Sequence, residues 1–312
     1  MLRASAAARL LRQTQPLLRH ARPQVTIALI KELRELTGAP INRVKQALDH
    51  SDGDLEEARQ WLRTKGMADA AKKSGRETTE GLVVVSAVDE RRVGLAEILC
   101  ETDSVARNEE FQGFARGLAA AAAQLGSGQA LTADAGLAEE IALASAKFGE
   151  NLQLKHARCV QVPEGEEGMV AVYVHSAIGN GVGSILSAVA LAWPEGSALD
   201  AAELAPRARQ LAMQVTAASP QFLDRESVPE ELVAAEQETV REQLGKALEG
   251  KPEHIQQKMM SGKLGKFFER VTLHDQKWVI GDEGKQSVAQ VLSGWGEGVR
   301  VTDYVRLEKG SG

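Results

Sequence analysis

Apolar residues recur at helical spacing over 25–66, and polar turns divide this stretch into three short helices. The apolar face of the first helix repeats roughly every 3.6 residues and consists of Leu29, Ile30, Leu33 and Leu36. Gly38 ends this helix, since glycine readily adopts the left-handed conformation found at many helix ends. Asp54 occupies the N-cap position of the third helix, with Glu57 at capping-box spacing. A module of about forty residues buries only a small core, so we expect it to bind a partner while attached to a larger body.

Strand patterns begin after a polar, small-residue segment at 67–80, which is predicted as a linker with some helix. A strand–turn–strand–helix order starts at Gly81 and recurs from Gly168, although the two halves share few letters. Short turns between the strands favour antiparallel pairs and leave no room for parallel crossovers. We therefore predict an α+β fold whose core is a duplicated antiparallel sheet-plus-helix unit, with subdomains at 81–165 and 166–226.

The remaining segments predict one long helix, a helical hairpin and a short return to the sheet. One continuous helix is expected over 105–125, where an alanine-rich stretch follows the first strand pair. Two charged helical segments, separated by a glycine–lysine–proline turn, predict a projecting antiparallel helical hairpin at 227–271. Renewed strand patterns at 277–280 and 300–307 return the chain to the core over 272–312.

The stretch 1–24 is rich in arginine and free of acidic side chains. Alanine and leucine alternate with its five arginines, and no apolar run is long enough for a secretory signal or a membrane span. This pattern predicts an organellar transit peptide, and the sparse serine favours the mitochondrion, and hence its matrix, over the plastid; a disordered basic tail is the alternative. Without the leader the net charge changes from −6 to −11. So acidic a chain lacks the basic surface of a direct nucleic-acid binder and suits a protein partner with basic patches.

Motifs of catalysis or metal binding are missing from the sequence. The spacings of a phosphate-binding loop and of a nucleophile elbow do not occur, and a hairpin explains the closely spaced Gly179, Gly181 and Gly183 better than a dinucleotide site does. The histidines do not pair at metal-ligand spacing, and Cys100 and Cys159 form no CxxC motif. We therefore predict a protein without a chemical active site, a cofactor or a metal.

The segment from Cys100 to Asn108 connects a buried strand directly to a helix. Thr102 or Asp103 is in position to cap that helix, and capping by itself accounts for both residues. A carboxylate held at such a corner is also directed outward, toward a partner. The residues alone leave both interpretations open.

Five segments together resemble the translation elongation factor Ts family. They are ELRELTGAPINRVKQAL, DGDLEEA, AAKKSGRETTEG, ETDSVARNEEFQGFA and SAKFGENLQLKHA. The resemblance covers nearly the whole chain after the leader and, with the leader, indicates the mitochondrial branch. It implies a guanine nucleotide exchange factor whose partner is GDP-bound elongation factor Tu, a GTPase of organellar translation. The first helices, taken alone, resemble only a ubiquitin-associated-like module, which leaves a binding adaptor as the alternative.

The resemblance also assigns partner contacts to particular residues. The family's magnesium-displacing motif, normally Thr-Asp-Phe-Val, corresponds here to Thr102, Asp103, Ser104 and Val105. Further contacts with the GTPase are implied for Lys45, Phe148, Gly149, His175, Val279 and Ile280. Each of these has a structural alternative, from a solvated helix charge at Lys45 to a buried strand at Val279.

Ser104 departs from the family pattern, because it stands where the motif has phenylalanine. Burial of such a ring contributes roughly 1.5–3 kcal/mol. We therefore expect slower exchange than a phenylalanine would give, with binding retained, unless the partner has co-adapted or the nearby Phe111 reaches the same position. A chaperone of elongation factor Tu without exchange activity is a further alternative.

Overall fold

The computed structural model describes residues 25–126, 129–131, 135–280 and 285–311. The chain divides into two compact units, with the boundary after Ala71. The transit peptide predicted over 1–24 lies outside the described residues. Among the helices of those ranges, none is long and apolar enough to cross a membrane.

The first unit is helical, as its apolar spacing predicts. It is formed by α1 (Ile27–Thr37), α2 (Ile41–His50) and α3 (Leu55–Lys73). Gly38 ends α1 with a φ of 63°, and Asp54 Oδ1 accepts the amide of Glu57 at 2.8 Å. The buried apolar cluster of the module consists of Leu33, Val44, Ala47, Leu48 and Ala58. Because α3 continues to Lys73, the segment predicted as a linker over 67–80 begins as helix.

Antiparallel strands form two sheets in the second unit. The strands are β1 (Glu80–Asp89), β2 (Arg92–Cys100), β3 (Gln153–Gln161), β4 (Glu167–His175), β5 (Val182–Gly183), β6 (Ile185–Trp193) and β7 (Arg300–Glu308). In the part of the chain that the structure describes, the first sheet has the order β3-β2-β1-β5 and the second the order β4-β6-β7. The predicted α+β class is confirmed, and β7 returns the chain to the core by pairing along β6.

The two sheets pack face to face. Successive residues of a strand point to opposite faces, so each sheet turns one set of side chains toward the other sheet and the other set away from it. Val83, Leu186 and Val305 belong to an apolar cluster contributed by both sheets. Residues on the opposite faces pack beneath α5 (Glu109–Ala122) on the first sheet and beneath α7 (Ala201–Ala218) on the second. The resulting layers are helix, sheet, sheet and helix. That both halves derive from one duplicated unit stays a prediction.

Gly94 in β2 sets the distance between α5 and the first sheet. A Cβ atom at this position would lie 1.9 Å from the carbonyl oxygen of Ala119 and 2.5 Å from the amide nitrogen of Ala123. Atoms cannot approach so closely, so α5 occupies its place only because residue 94 has no side chain.

The single helix predicted over 105–125 is wrong, because the chain forms two helices there. α4 (Asp103–Ala106) comes first, and the side chain of Asn108 then accepts two backbone amides of the first turn of α5 at 2.8 and 3.3 Å. Asparagine is a preferred N-cap residue, and here it starts a new helix. α6 (Ala135–Phe148) follows and ends at Gly149, whose φ is 82°.

Two helices occupy the segment predicted as a hairpin. They are α8 (Glu230–Leu244) and α9 (Glu253–Val271), with a 3-10 turn at Gly245–Ala247 between them. An ion pair of 3.8 Å joins Glu236 in the first half of α8 to Arg270 at the end of α9, as an antiparallel pair requires. Projection of this pair from the core stays a prediction.

The strand predicted at 277–280 is wrong, since only Lys277 makes a β-bridge there, to Ser287. The buried carboxamide of Gln214 in α7 donates to the carbonyl of Lys277 at 3.1 Å and accepts the amide of Val279 at 2.8 Å. A side chain thus supplies the hydrogen bonds that a neighbouring strand would supply. α10 (Val288–Ser293) follows this segment.

Candidate functional site

The corner between β2 and α4 is capped by Thr102 and not by Asp103. Thr102 Oγ1 accepts the amide of Val105 at 3.4 Å, so the Asp103 carboxylate has no capping role. Asp103 lies 3.7 Å from Arg107, and 67% of its side chain is exposed. Such exposed ion pairs contribute little to stability. Asp103 and Ser104, which is also exposed, therefore form an exposed tip at the start of α4.

The loop after α6 is hydrogen-bonded to this corner. The Glu150 carboxylate accepts the amides of Glu101 and Thr102 at 2.9 and 3.1 Å and the Thr102 hydroxyl at 2.5 Å. In return, the Glu101 carboxylate accepts the amide of Asn151 at 2.6 Å and a guanidinium N–H of Arg76 at 3.3 Å. We call the reciprocal bonds among Glu101, Thr102, Glu150 and Asn151 the corner latch. Sequence reasoning had not assigned Glu101, Glu150 or Asn151 to the site.

The electrostatics of the latch favour an ionised Glu101. The backbone amide of Asn151, and after it the hydrogen bond from Arg76, hold the pKa of the Glu101 carboxyl below its usual value. A carboxylate with a lowered pKa stabilises the fold while it is ionised and loses that effect only as the pH falls through the lowered value. The bonds that the Glu101 carboxylate accepts are therefore those of an ionised group at neutral pH.

Phe148 and Gly149 lie at the base of the latch. The ring of Phe148 meets that of Phe111 edge-on, with 5.4 Å between their centroids, and with Val105 it packs against the apolar cluster between α5 and the first sheet. Phe111 is fully buried, so it does not replace at the tip the ring that Ser104 lacks. Gly149 turns the chain into the latch with a φ that other residues rarely adopt. Phe148, Gly149 and the tip therefore belong to one corner.

His175, Val279 and Ile280 are the other implied contact residues of the second unit. His175 ends β4, is exposed, and places its Nδ1 3.3 Å from the hydroxyl of Tyr173. Val279 is 55% exposed, whereas Ile280 packs against the same apolar cluster as Tyr173. The exposure of Val279 argues against its alternative role as a buried strand residue.

Lys45 belongs to the first unit, where it is exposed on α2. Ile41 lies one turn before it and is 47% exposed. Residues four apart share a helix face, so α2 presents a cation and an apolar side chain side by side.

The cysteines do not contribute nucleophiles. Cys100 and Cys159 are free and buried, and burial raises the pKa of the Cys100 thiol to about 12. The thiolate is the reactive form, so this thiol stays protonated and inert at neutral pH. Across the described ranges, His, Cys, Asp and Glu side chains form no group of three that could hold a metal ion. The corner presents the exposed Asp103 carboxylate on a backbone fixed by hydrogen bonds, an arrangement suited to contact with another molecule.

Residues 101–311 match the family model described as elongation factor TS. The chain is similar to elongation factor Ts of Gluconobacter oxydans, with 40% identity over 295 residues that cover 93% of each chain. It is also 40% identical, over 291 residues, to elongation factor Ts of Desulfovibrio desulfuricans, covering 91% of this chain and 98% of the relative. The family match begins at Glu101 and so includes both the tip and the latch.

Proposed function

This chain belongs to the elongation factor Ts family, and on that premise we propose that it is a guanine nucleotide exchange factor for elongation factor Tu in translation elongation. The partner is the GDP-bound GTPase, and the factor itself breaks no bond in a substrate. The observation that carries the proposal is the exposed tip of Asp103 and Ser104 on a corner fixed by hydrogen bonds.

Release of GDP is accelerated where its phosphate end is loosened. In GTPases of this kind, backbone amides, a lysine and Mg²⁺ hold the phosphates. A carboxylate brought beside that ion disturbs its coordination, because Mg²⁺ requires near-ideal octahedral geometry. We assign this role to Asp103. A tenfold faster release requires a barrier lower by about 1.4 kcal/mol, and by linkage GDP must weaken the binding of the factor as much as the factor weakens that of GDP.

The other matched residues serve binding in this proposal. Lys45 is an exposed cation for docking of the three-helix module, and His175 and Val279 are exposed side chains of the second unit. Phe148 and Gly149 act from the base of the corner, and Ile280 supports the segment that presents Val279.

The dissociation of a fluorescent GDP analogue from elongation factor Tu tests the proposal. The chain without residues 1–24, at saturating concentration, should accelerate dissociation. Unchanged kinetics would reject exchange and support the non-exchanging chaperone, which is the second candidate because Ser104 lacks the apolar ring. A pulldown separates both from a binding adaptor, since added GDP should deplete the captured GTPase but not the partner of an adaptor.

Ser104→Phe should raise the maximal rate of GDP release by about tenfold, since burial of the ring against the partner adds transition-state stabilisation of roughly 1.5 kcal/mol or more. The side chain of residue 104 is exposed, so the larger residue requires no repacking of the free protein. Stopped-flow measurement of the two chains under identical conditions checks this. Equal rates would show that residue 104 does not limit exchange.

We further propose that the protein acts in the mitochondrial matrix, a proposal supported by the leader and not by the comparisons, whose relatives are bacterial. Residues 1–24 fused to a fluorescent protein should direct it to mitochondria, and replacement of the five arginines by glutamine should abolish import. Mass spectrometry of the imported full chain should find a new amino terminus near Pro23 or Gln24. A cytosolic fusion protein would contradict the proposal.

A further inference from the structure

We propose that Glu150 is a positioning residue for nucleotide exchange, which holds the tip in the orientation that reaches the partner's metal–diphosphate site without touching nucleotide or metal itself. This inference rests on the proposed function. It concerns a residue on the loop after α6, outside the segment that carries the tip.

The carboxylate of Glu150 holds both the backbone of the corner and the side chain of Thr102. The amides of Glu101 and Thr102 precede α4 and therefore have no acceptor within that helix; one oxygen of Glu150 accepts both. Its other oxygen accepts the Thr102 hydroxyl, which in turn accepts the amide of Val105. Hydrogen bonds to a carboxylate are among the strongest in proteins. One side chain thus fixes the path of the backbone and the rotamer of the cap.

The loop that carries Glu150 is itself hydrogen-bonded to the neighbouring segments. On one side, the amide of Gly149 donates to the carbonyl of Ser145 at 3.0 Å at the end of α6. On the other, the carboxamide of Asn151 donates to the carbonyls of Ser74 and Arg76 at 3.4 and 2.8 Å. Glu150 therefore fixes the corner relative to a loop that is itself held by hydrogen bonds.

The exposed tip has few contacts of its own, because the core holds α4 at its other end, through the buried Ala106 and the carboxamide of Gln112, which donates to the carbonyl of Ala106 at 3.4 Å. α4 is only four residues long, and the Asp103 side chain makes an exposed ion pair with Arg107. Without the Glu150 carboxylate, the amides of Glu101 and Thr102 would lose their acceptor, so the start of α4 would be held less tightly, although Val105 and Ala106 still pack against the core. A misplacement of about 1 Å can cost roughly a hundredfold in a step that depends on orientation.

Two substitutions separate the geometry of Glu150 from its charge. Glu150→Ala removes the acceptor and should lower the maximal rate of GDP release by about tenfold, with the half-saturating concentration changed by less than about twofold. Glu150→Gln should retain most of the rate, because its carboxamide oxygen can accept both amides while its nitrogen donates to the Thr102 hydroxyl. Glu140→Ala, which removes an exposed acid from α6, is the matched control and should behave as wild type.

A partner-free measurement tests the latch directly. Hydrogen–deuterium exchange over residues 101–106 should become faster in Glu150→Ala and stay slow in Glu150→Gln and Glu140→Ala, while the strands keep their protection. If Glu150 acts through the tip, Glu150→Ala should add little further loss in a chain that already carries Asp103→Ala, since coupled residues are not additive.

The outcomes distinguish this proposal from the proposed function. A wild-type maximal rate in Glu150→Ala, or unchanged amide exchange at the corner, would overturn the positioning role and leave the exchange function intact. Full additivity with Asp103→Ala would likewise overturn it. A wild-type chain that fails to accelerate GDP release would reject both.

Discussion

Asp103→Ala is expected to lower the maximal rate of GDP release from elongation factor Tu by about tenfold or more, equivalent to at least roughly 1.4 kcal/mol of the barrier. The carboxylate is the tip group that can compete with the ligands of Mg²⁺, and Thr102, which caps the helix, remains in place. Binding should be nearly unchanged, because the docking residues lie elsewhere. Stopped-flow rates over a range of factor concentrations separate the maximal rate from the half-saturating concentration.

Glu109→Ala provides the matched control for Asp103→Ala. Glu109 is also exposed and also lies in the first turn of a helix, α5, but not at the tip. Both variants should melt as wild type does, since exposed charges contribute little to folding. An equal loss of rate in both would indicate a general effect of negative charge, and an undiminished rate in Asp103→Ala would contradict the assigned role.

Gly94→Ala is expected to lower the free energy of unfolding by about 3 kcal/mol, at the upper end of the cost of overpacking a core. The added methyl would overlap the backbone of α5 at Ala119 and Ala123, and a backbone cannot move aside as a flexible side chain can. Because α4 leads directly into α5, displacement of α5 should also disturb the tip. Urea denaturation followed by circular dichroism measures the change.

Gly117→Ala is the control for Gly94→Ala, because it adds the same methyl group to the helix that packs on Gly94. Gly117 lies within α5, and a Cβ atom there would meet nothing within 4 Å. Alanine in place of an exposed helical glycine should stabilise the protein by about 0.5–1 kcal/mol. A similar destabilisation by both substitutions would show that the close approach at Gly94 is not the cause.

Local patterns predicted most of the elements, because the signals of helices and strands lie within a few residues. The glycine stop of α1 and the capping aspartate of α3 are present in the structure, and of the predicted apolar face Leu29, Ile30 and Leu33 join the core, whereas Leu36 is 63% exposed. The break at Asn108 escaped prediction because the apolar spacing runs through it and its capping role depends on a single side chain. The strand predicted at 277–280 failed for another reason, since Gln214, distant in sequence, supplies its hydrogen bonds.

The candidate site was predictable only in part. The tip follows a buried strand and a capping threonine, Thr102, so its position was evident, and the family resemblance supplied its proposed role. The latch gave no such signal, because Glu101 and Glu150 lie on segments that meet only in the folded chain. Residue spacing reports neighbours along a helix or strand, whereas reciprocal bonds between two loops depend on the packing of α6 and β2.

The latch also bears on the thermodynamics of association. Ordering the backbone of a flexible loop costs about 1–2 kcal/mol of conformational entropy per residue, and a helix as short as α4 is not stable by itself in water. In this protein the hydrogen bonds of Glu150 order the corner during folding, so this entropy is already lost before docking. On the proposed function, the factor therefore meets its partner with a preformed contact surface, and the free energy of docking would remain available to distort the GTPase.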